Sequence, residues 1–209
     1  MELEKNNKFI VNNLKHNLGN YIVPENCING IAVDVGANNG CFINDYKDFF
    51  SKIYAYEANF YLVKKLNEVY KNFKNIEIFN NAVSDSDDKI LKLLAHKYTD
   101  DNGSYCIKKN IQHQDWDEFV CEVNSISLET ILKKHGNIDY MKIDCETSEY
   151  EFLLNKNLSS IKYIALELHN QLGIEKYVEL YNWICRTHSP NQKLNYIFGQ
   201  HQEILFKLN

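Results

Sequence analysis

Arginine is almost missing from this chain of 209 residues, which contains Arg186 and no other. Lysines supply the remaining positive charge, acidic residues outnumber them, and the formal net charge is −5. Surfaces that bind phosphate backbones rely on clustered arginine and lysine, and no such basic patch stands out here. The composition therefore argues against a nucleic-acid substrate.

Two further absences bear on the cellular setting. The six cysteines include no CxxC pair and no spacing typical of zinc sites. Residues 1–20 lack the apolar core of a signal peptide, and no later segment approaches the length of a membrane span. We therefore expect free thiols and a cytoplasmic location, in the source cell or, for a large DNA virus, in its host. We expect no membrane partner.

Linkers, internal repeats and low-complexity tracts are also missing, so we expect a single domain over residues 1–209. Within it, short apolar runs alternate with segments of helical periodicity. The predicted strands are 31–35, 53–57, 76–80, 139–143 and 161–168. The predicted helices are 3–20, 41–50, 60–73, 128–135 with Ser127 as its N-cap, 150–154 and 175–188. The oligomeric state stays open, and a homo-oligomer is compatible with the pattern.

Residues 89–125 interrupt this alternation. Extended stretches predicted at 89–95 and 119–125 flank a polar turn at 99–104, which indicates a β-rich insertion. Nearer the C-terminus, residues 196–198 and 204–208 predict an antiparallel hairpin around Gly199. The expected fold is therefore α/β, with a mostly parallel, doubly wound sheet, a closing hairpin and a β-rich insertion.

Three of the predicted strands end at an acidic residue. Asp34, Glu57 and Asp144 each close a short apolar run. Parallel strands bring their carboxyl ends to one edge of the sheet, and ligands of open α/β sheets bind at that edge, near the point where the strand order reverses. We therefore expect these three carboxylates to line one crevice.

The loop after the first strand favours one cofactor. Its glycines, Gly36 and Gly40, are spaced as GxxxG, without the middle glycine that lets a GxGxxG loop approach a pyrophosphate. Asp34, just before the turn, would repel a pyrophosphate but suits a cation. Glu57, about twenty residues downstream, is placed to hold ribose hydroxyls. A ribose, a positive centre and no phosphate describe S-adenosylmethionine.

The sequence resembles the FkbM family of S-adenosylmethionine-dependent methyltransferases over residues 30–170. The matching motifs are VDVGANNG at 33–40, EAN at 57–59, NAVSD at 81–85, GS at 103–104, SLETIL at 127–132, KIDCETSE at 142–149 and ELH at 167–169. The resemblance implies a Rossmann-like class I methyltransferase fold and methylation of oxygen, often on sugars or natural products. Thr147 departs from the family pattern, in which glycine usually stands at this position.

The same resemblance implies the cofactor contacts. Glu57 would hold the ribose, and Asp34 would contact the cofactor directly or through water. Gly36, Ala37 and Gly40 would pack against the methionine part, and Asn38 and Asp144 are further cofactor-binding candidates. The residues that would border the adenine are Ala58, Asn81 and Ala82.

Methyl transfer to a hydroxyl group requires a base within hydrogen-bond reach of the acceptor. The candidate catalytic residues are Asp144, Glu146, Glu167 and His169. His169 has the most suitable unperturbed acidity near neutral pH.

Each of these candidates also has a purely structural interpretation. Asp144 would only orient the cofactor's amino group, and Glu167 would pair with Lys142. Glu146, like Glu149, would cap the next helix. His169 would be a surface residue, as is expected of the other histidines outside the insertion, namely His16, His135, His188 and His201.

A divalent metal is an alternative way to activate the hydroxyl group. Asp144, Glu167 and His169 would hold it. Magnesium prefers oxygen ligands, so the histidine favours a transition metal instead. A metal is therefore open as a cofactor but is not favoured.

The insertion contains residue types that suit a sugar acceptor. Aromatic rings stack on the apolar faces of sugars, while polar groups bind the hydroxyls. The candidates are His96, Tyr98, Asp100, Asp101, Gly103, Ser104, Tyr105, His113 and Trp116, although any solvated loop has a similar composition.

We therefore expect an S-adenosylmethionine-dependent O-methyltransferase that acts on a sugar, a glycan precursor or a related small molecule. One alternative is an RNA ribose methyltransferase in which Lys142 and Asp144 belong to a lysine–acid tetrad, although the acidic charge argues against it. The other is a catalytically silent cofactor-binding module, which Thr147 alone favours.

Overall fold

The computed structural model describes residues 21–96, 104–107, 117–145, 148–169, 173–190, 196–198 and 201–209. The predicted helix at 3–20 and most of the predicted turn at 99–104 lie outside these ranges, as do Glu146 and Thr147. Within the described ranges, no helix is both long enough and apolar enough to cross a membrane.

The described strands form two sheets. They are β1 (Ile31–Val35), β2 (Lys52–Glu57), β3 (Ile76–Asn80), β4 (Ala82–Ser84), β5 (Ile90–His96), β6 (Ser104–Ile107), β7 (Asp117–Ser127), β8 (Ile138–Ile143), β9 (Ile161–His169), β10 (His188–Pro190), β11 (Tyr196–Phe198) and β12 (His201–Leu208). The larger sheet has the order β3-β2-β1-β8-β9-β12-β10, with β11 paired to β12. From β3 to β9 the strands are parallel, and β12 runs antiparallel to β9 and β11. The predicted mostly parallel α/β sheet with a closing antiparallel hairpin is confirmed.

Five α-helices are described, in addition to a 3-10 turn at Glu25–Cys27, and they are α1 (Cys41–Tyr46), α2 (Phe60–Tyr70), α3 (Leu128–His135), α4 (Glu149–Leu153) and α5 (Ile174–Ile184). Side-chain oxygens cap two of them, as free helical N–H groups require. Asn59 accepts a hydrogen bond of 2.9 Å from the N–H of Tyr61 at the start of α2. Ser127 accepts one of 3.2 Å from the N–H of Thr130, which confirms the predicted cap of α3.

Apolar side chains cover both faces of the central strands. Alternate residues of a strand point to opposite faces, so Val33 of β1 and Met141 of β8 belong to one core cluster. Ala32 and Tyr140, on the same two strands, belong to the other cluster. Burial on both faces explains why these strands read as continuous apolar runs in the sequence.

The second sheet, β4-β7-β5-β6, confirms the predicted β-rich insertion. β5 pairs antiparallel with β6 and β7, whereas β4 pairs parallel with the end of β7. Ala82, Leu91 and Val123 form a small core of this sheet, and Ala58 packs against it. The sheet therefore begins at β4, earlier than predicted, and lies beside the carboxyl ends of β2 and β3.

Three predicted helices end at least three residues earlier than their periodicity indicated. α1 ends at Tyr46, α2 ends at Tyr70, and α5 ends at Ile184 before the chain turns into β10. His188, the first residue of β10, is fully buried, and its Nε2 atom lies 2.7 Å from the carbonyl oxygen of Ile161. The expectation that His188 lies on the surface is therefore wrong, because a backbone partner satisfies its ring in the interior.

His135, also expected on the surface, is buried as well. Its Nε2 atom lies 2.7 Å from the hydroxyl oxygen of Tyr56, and its ring stacks on Tyr54 with a centroid separation of 3.6 Å. Burial lowers the pKa of His135 to about 4. A neutral histidine therefore forms part of the core between α3 and β2.

Candidate functional site

The larger sheet brings the three predicted carboxylates to one edge. Asp34 lies near the end of β1, Glu57 ends β2, and Asp144 directly follows β8. In register, Asp34 is level with Ala55 on one side and with Lys142 on the other. The strand order reverses between β1 and β8, which is where open α/β sheets bind their ligands.

A buried lysine lies between two of these carboxylates. Lys142 is 4% exposed, and its Nζ atom lies 3.2 Å from Oδ1 of Asp34 and 3.5 Å from Oδ2 of Asp144. The same ammonium group donates a hydrogen bond of 2.6 Å to the carbonyl oxygen of Gly36. Burial by itself would lower the pKa of Lys142, but the negative charges of Asp34 and Asp144 have the larger, opposite effect. The pKa of Lys142 is therefore raised. Lys142 is therefore a fixed cation.

Asp34 is fully buried and retains capacity to accept a hydrogen bond. Burial raises the pKa of Asp34, and the positive charge of Lys142 opposes that effect. Among the residues that the structure describes, none donates a hydrogen bond to its Oδ2 atom. Buried carboxylate oxygens are normally satisfied, so this atom fits a ligand with a positive or hydrogen-bonding group.

Glu57 is held by backbone N–H groups instead of a cation. Its Oε2 atom accepts a hydrogen bond of 2.7 Å from the N–H of Asn38, and Oε1 accepts one of 2.7 Å from the N–H of Asn59. The side chain is 7% exposed; burial raises the pKa of Glu57, and the two hydrogen bonds oppose that effect. Each oxygen has room for one more donor, as a pair of ribose hydroxyls would supply.

The glycine loop is shaped mainly by its packing against the protein. Gly36 and Gly40 have φ of +78° and +80°, a region that disfavours side chains. A Cβ atom on Gly36 would lie 1.9 Å from the carbonyl oxygen of Asp144, and one on Gly40 would lie 2.6 Å from Cδ2 of Leu66. The two glycines therefore allow the loop to approach β8 and α2 closely.

Most N–H groups of this loop donate within the protein. Those of Gly36 and Ala37 both donate to the carbonyl oxygen of Tyr56, at 3.0 and 3.1 Å. The N–H of Asn38 donates to Glu57, and that of Gly40 donates to Ala37 at 2.8 Å. The buried Oδ1 atom of Asn38 accepts no hydrogen bond from the described part of the chain. The loop can therefore accept a hydrogen bond from a ligand, through Asn38, more readily than it can donate several hydrogen bonds to one.

The predicted adenine contacts lie together beside the second sheet. Ala82 is buried, and the side-chain amide of Asn81 donates a hydrogen bond of 3.2 Å to the carbonyl oxygen of Asn124. The thiol of Cys121 lies 3.7 Å from the carbonyl oxygen of Ala58. Strand β7 therefore borders the predicted adenine position, a contribution that the sequence analysis did not identify.

The described catalytic candidates meet at the same edge. Asp144 is partly exposed, and its Oδ2 atom accepts a hydrogen bond of 3.1 Å from the hydroxyl of Tyr21. Ile143 of β8 is level with Leu166 of β9, which brings the half-buried Glu167 to this edge as well. The side chain of His169, at the end of β9, lies outside the described part, as does all of Glu146.

One structural interpretation is revised and another agrees with the structure. Lys142 forms its described ion pairs with Asp34 and Asp144, although Glu167 was the expected partner. Glu149 lies in the first turn of α4, as expected, where it is buried and accepts a hydrogen bond of 3.2 Å from the N–H of Cys145 in the loop before the helix. Both residues thus shape the segment that carries Asp144.

The alternative metal site and the acceptor-binding role of the insertion both stay predictions. Among the described residues, no group of three or more histidine, cysteine, aspartate or glutamate side chains is placed to hold a metal. His169, one of the three proposed ligands, falls outside that set. The same holds for most acceptor candidates of the insertion, namely Tyr98, Asp100, Asp101, Gly103, His113 and Trp116.

Comparison with known proteins places the chain in one family. The family model described as the methyltransferase FkbM domain matches residues 34–204. No protein of curated function matches this chain in sequence.

Solved structures show the same fold at low sequence identity. A methyltransferase FkbM from Methylobacillus flagellatus KT has a TM-score of 0.54 and 13% identity, over 85% of this chain and 43% of that one. A fibrillarin pre-rRNA processing protein from Methanococcus jannaschii has a TM-score of 0.53 and 12% identity, over 86% of this chain and 66% of that one. The chain thus spans less than half of the Methylobacillus protein.

Proposed function

The chain belongs to the FkbM family of methyltransferases, and from this premise we propose that it is an S-adenosylmethionine-dependent O-methyltransferase. Its proposed acceptor is a hydroxyl group of a sugar, a glycan precursor or a related small molecule. The observation that carries the proposal is the combination of an acidic carboxyl edge with a glycine loop whose N–H groups donate within the protein.

This combination favours a cationic cofactor over a dinucleotide. Asp34, Glu57 and Asp144 outnumber Lys142, the one cation that pairs with them in the described part of the chain, so a sulfonium or ammonium group gains attraction where a pyrophosphate would be repelled. A pyrophosphate also needs free N–H donors from the loop. Those of Gly36, Ala37, Asn38 and Gly40 already have acceptors.

Each carboxylate then has a distinct task. S-adenosylmethionine supplies an electrophilic methyl group. Glu57 accepts hydrogen bonds from the ribose hydroxyls, because its two oxygens are already oriented by backbone N–H groups. Asp34 and Asp144 attract the positive groups of the methionine part, and Asn38 of the glycine loop adds an acceptor there.

The acceptor hydroxyl loses its proton to a side chain at the same edge. Asp144 is one candidate for this base, and its Oδ2 atom is already engaged by Tyr21 and Lys142. Glu146, Glu167 and His169 stay in the set of proposed bases, since Glu146 follows β8 in the sequence and the other two lie at the carboxyl end of β9.

The RNA ribose methyltransferase hypothesis is less well supported. Lys142 is buried, and its raised pKa keeps it protonated between two carboxylates. A proton cannot pass to an ammonium group, and the net charge of −5 does not favour RNA binding.

Calorimetric titration of the purified chain with S-adenosylmethionine, S-adenosylhomocysteine and NAD tests the cofactor. We expect binding of the first two in the micromolar range and none of NAD. Failure of both methionine-derived ligands to bind would contradict the proposal. Screening nucleotide sugars and RNA as methyl acceptors then separates the two acceptor classes.

The variant Asp144→Ala separates an enzyme from a silent module. We expect loss of turnover with the acceptor that the screen identifies, because Asp144 serves both cofactor and acceptor. Full turnover of the variant would exclude the proposed role of Asp144. Cofactor binding by the wild-type chain without turnover on any acceptor would instead favour the silent module.

A further inference from the structure

Tyr21 is tied to the carboxyl edge although it precedes the residues that the family model matches. The hydroxyl of Tyr46 donates a hydrogen bond to the carbonyl oxygen of Tyr21, and that of Tyr140 donates one of 3.2 Å to the carbonyl oxygen of Ile22. Val23 is buried. The backbone of this segment is therefore held by α1 and β8, which fixes where the Tyr21 side chain begins.

The side chain of Tyr21 reaches the charged groups of the site. Its hydroxyl donates a hydrogen bond of 3.1 Å to Oδ2 of Asp144, and its ring lies 5.4 Å from Nζ of Lys142. The ring also meets Phe42 edge-on, with centroids 6.1 Å apart. Packing on one side and a charge-assisted hydrogen bond on the other hold the side chain in one orientation.

We propose that Tyr21 is a positioning residue that fixes the Asp144 carboxylate for the amino-acid end of the cofactor. Oδ2 of Asp144 is held from two directions, by the phenol of Tyr21 and by the ammonium group of Lys142. When one oxygen of a carboxylate is held in place, its second oxygen points in a defined direction. Binding sites need such fixed orientations to hold a ligand in a precise geometry. The proposal rests on the cofactor assignment made above, since it concerns the same site.

Two ligands distinguish this role from a merely structural one. S-adenosylhomocysteine carries the amino-acid part, whereas 5′-methylthioadenosine has the same adenosine and sulfur without it. Tyr21→Phe removes the hydroxyl and keeps the ring. We expect the variant to bind S-adenosylhomocysteine about tenfold more weakly, as for loss of a hydrogen bond to a charged group. Its affinity for 5′-methylthioadenosine should equal that of the wild-type chain.

Tyr46→Phe is the matched control. It removes one of the two phenols that hold the backbone of the same segment, and its hydroxyl binds the carbonyl oxygen of Tyr21 instead of the Asp144 carboxylate. We expect its affinity for both ligands to stay within about twofold of the wild-type value, because Tyr140 still holds the segment and the Tyr21 hydroxyl is unchanged. Thermal unfolding of each variant confirms that the titrated protein is folded.

The outcomes separate this proposal from the cofactor assignment. A wild-type chain that binds neither ligand overturns both. A wild-type chain that binds both, with Tyr21→Phe binding S-adenosylhomocysteine equally well, overturns only the role of Tyr21. An equal loss of affinity for the two ligands in Tyr21→Phe also overturns it, because a general disturbance would do the same.

A double-mutant cycle with Asp144→Asn tests the connection between the two residues. If Tyr21 acts through Asp144, Tyr21→Phe should weaken S-adenosylhomocysteine binding by less than about twofold in the Asp144→Asn background. Losses that multiply independently would show that Tyr21 acts elsewhere and would overturn the proposal. If Tyr21→Phe failed to fold, Tyr21→Leu, which also lacks the hydroxyl donor, would enter the same cycle.

Discussion

On the β2 side of β1, two backbone N–H groups hold Glu57, whereas on the β8 side Asp34 and Asp144 share the buried ammonium group of Lys142. Both sides keep carboxylates at an edge that is largely closed to water. The β2 side uses neutral donors that are part of the turns themselves. The β8 side uses a counter-ion that arrives from a neighbouring strand.

This difference predicts how each side responds to mutation. Backbone donors remain when a side chain is changed, so a substitution at Glu57 disturbs only the two turns that it joins. A counter-ion is a separate residue, and its removal leaves a buried charge without compensation. The β8 side should therefore be the more sensitive of the two.

Lys142→Met should give the largest effect. It leaves Asp34 fully buried without its cation, and we expect a loss of about 3–5 kcal/mol in the free energy of unfolding. Urea denaturation measures it. Adding Asp34→Asn should restore part of the loss, and no recovery in the double variant would show that packing, not charge, dominates.

Lys156→Met is the control for that measurement. Lys156 pairs with Glu129, whose side chain is exposed. Exposed ion pairs contribute about 0–1 kcal/mol. A loss as large as that of Lys142→Met would mean that burial of the pair is not what distinguishes the two lysines.

Gly36 joins the two sides, and Gly36→Ala should disturb both. Its N–H donates to Tyr56 on β2, and its carbonyl oxygen accepts from Lys142 on β8. The added Cβ atom meets the Asp144 carbonyl at φ of +78°, so we expect a loss of about 2–5 kcal/mol in urea denaturation.

Gly136→Ala separates strain from collision. Gly136 has a similar φ of +74°, but no atom of the described structure lies within 4 Å of its added Cβ. Left-handed backbone alone costs about 1–2 kcal/mol. Equal losses for the two variants would show that the contact with β8 contributes nothing.

Glu57→Ala should have an intermediate effect on stability. It removes the acceptor of the Asn38 and Asn59 N–H groups, and we expect a loss of about 2–3 kcal/mol. Because Glu57 is proposed to hold the ribose, affinity for S-adenosylhomocysteine and for 5′-methylthioadenosine should fall together. Glu68→Ala on the exposed face of α2 is the control and should change neither quantity.

Local signals in the sequence predicted much of this edge. Residues 31–35 and 76–80 form the predicted strands and 128–135 the predicted helix, because a buried apolar run and a serine cap are features of adjacent residues. The acidic ends of β1, β2 and β8 followed from the same runs. The family resemblance covered motifs within the region that the family model matches.

Contacts between distant residues were harder to predict. Tyr21 and its partner Asp144 lie far apart in the sequence, as do Lys142 and Asp34. Lys142 and Asp144 are only two residues apart, but whether their side chains meet depends on the backbone geometry at the end of β8. A lysine inside an apolar strand was the available signal, since lysine is rarely buried without a counter-charge. Strand β10 forms, and His188 is buried, because this segment pairs with β12. No pattern within residues 188–190 predicts that pairing.

The smallest predicted effect is a pH dependence that belongs to the β2 side. The native pKa of Glu57 is raised by burial, so its protonated form contributes stability that is fully present below the unfolded pKa of about 4. That contribution is lost as the pH rises through the raised native pKa. The free energy of unfolding of the wild-type chain, minus that of Glu57→Gln, should therefore fall as the pH rises from about 4 towards neutrality, by at most about 1.4 kcal/mol per pH unit. Urea denaturation at a series of pH values measures this difference. A difference that rises with pH would mean that the two N–H donors have a larger effect on the pKa of Glu57 than burial has. The β2 side would then stabilise an ionised carboxylate as strongly as Lys142 does on the β8 side.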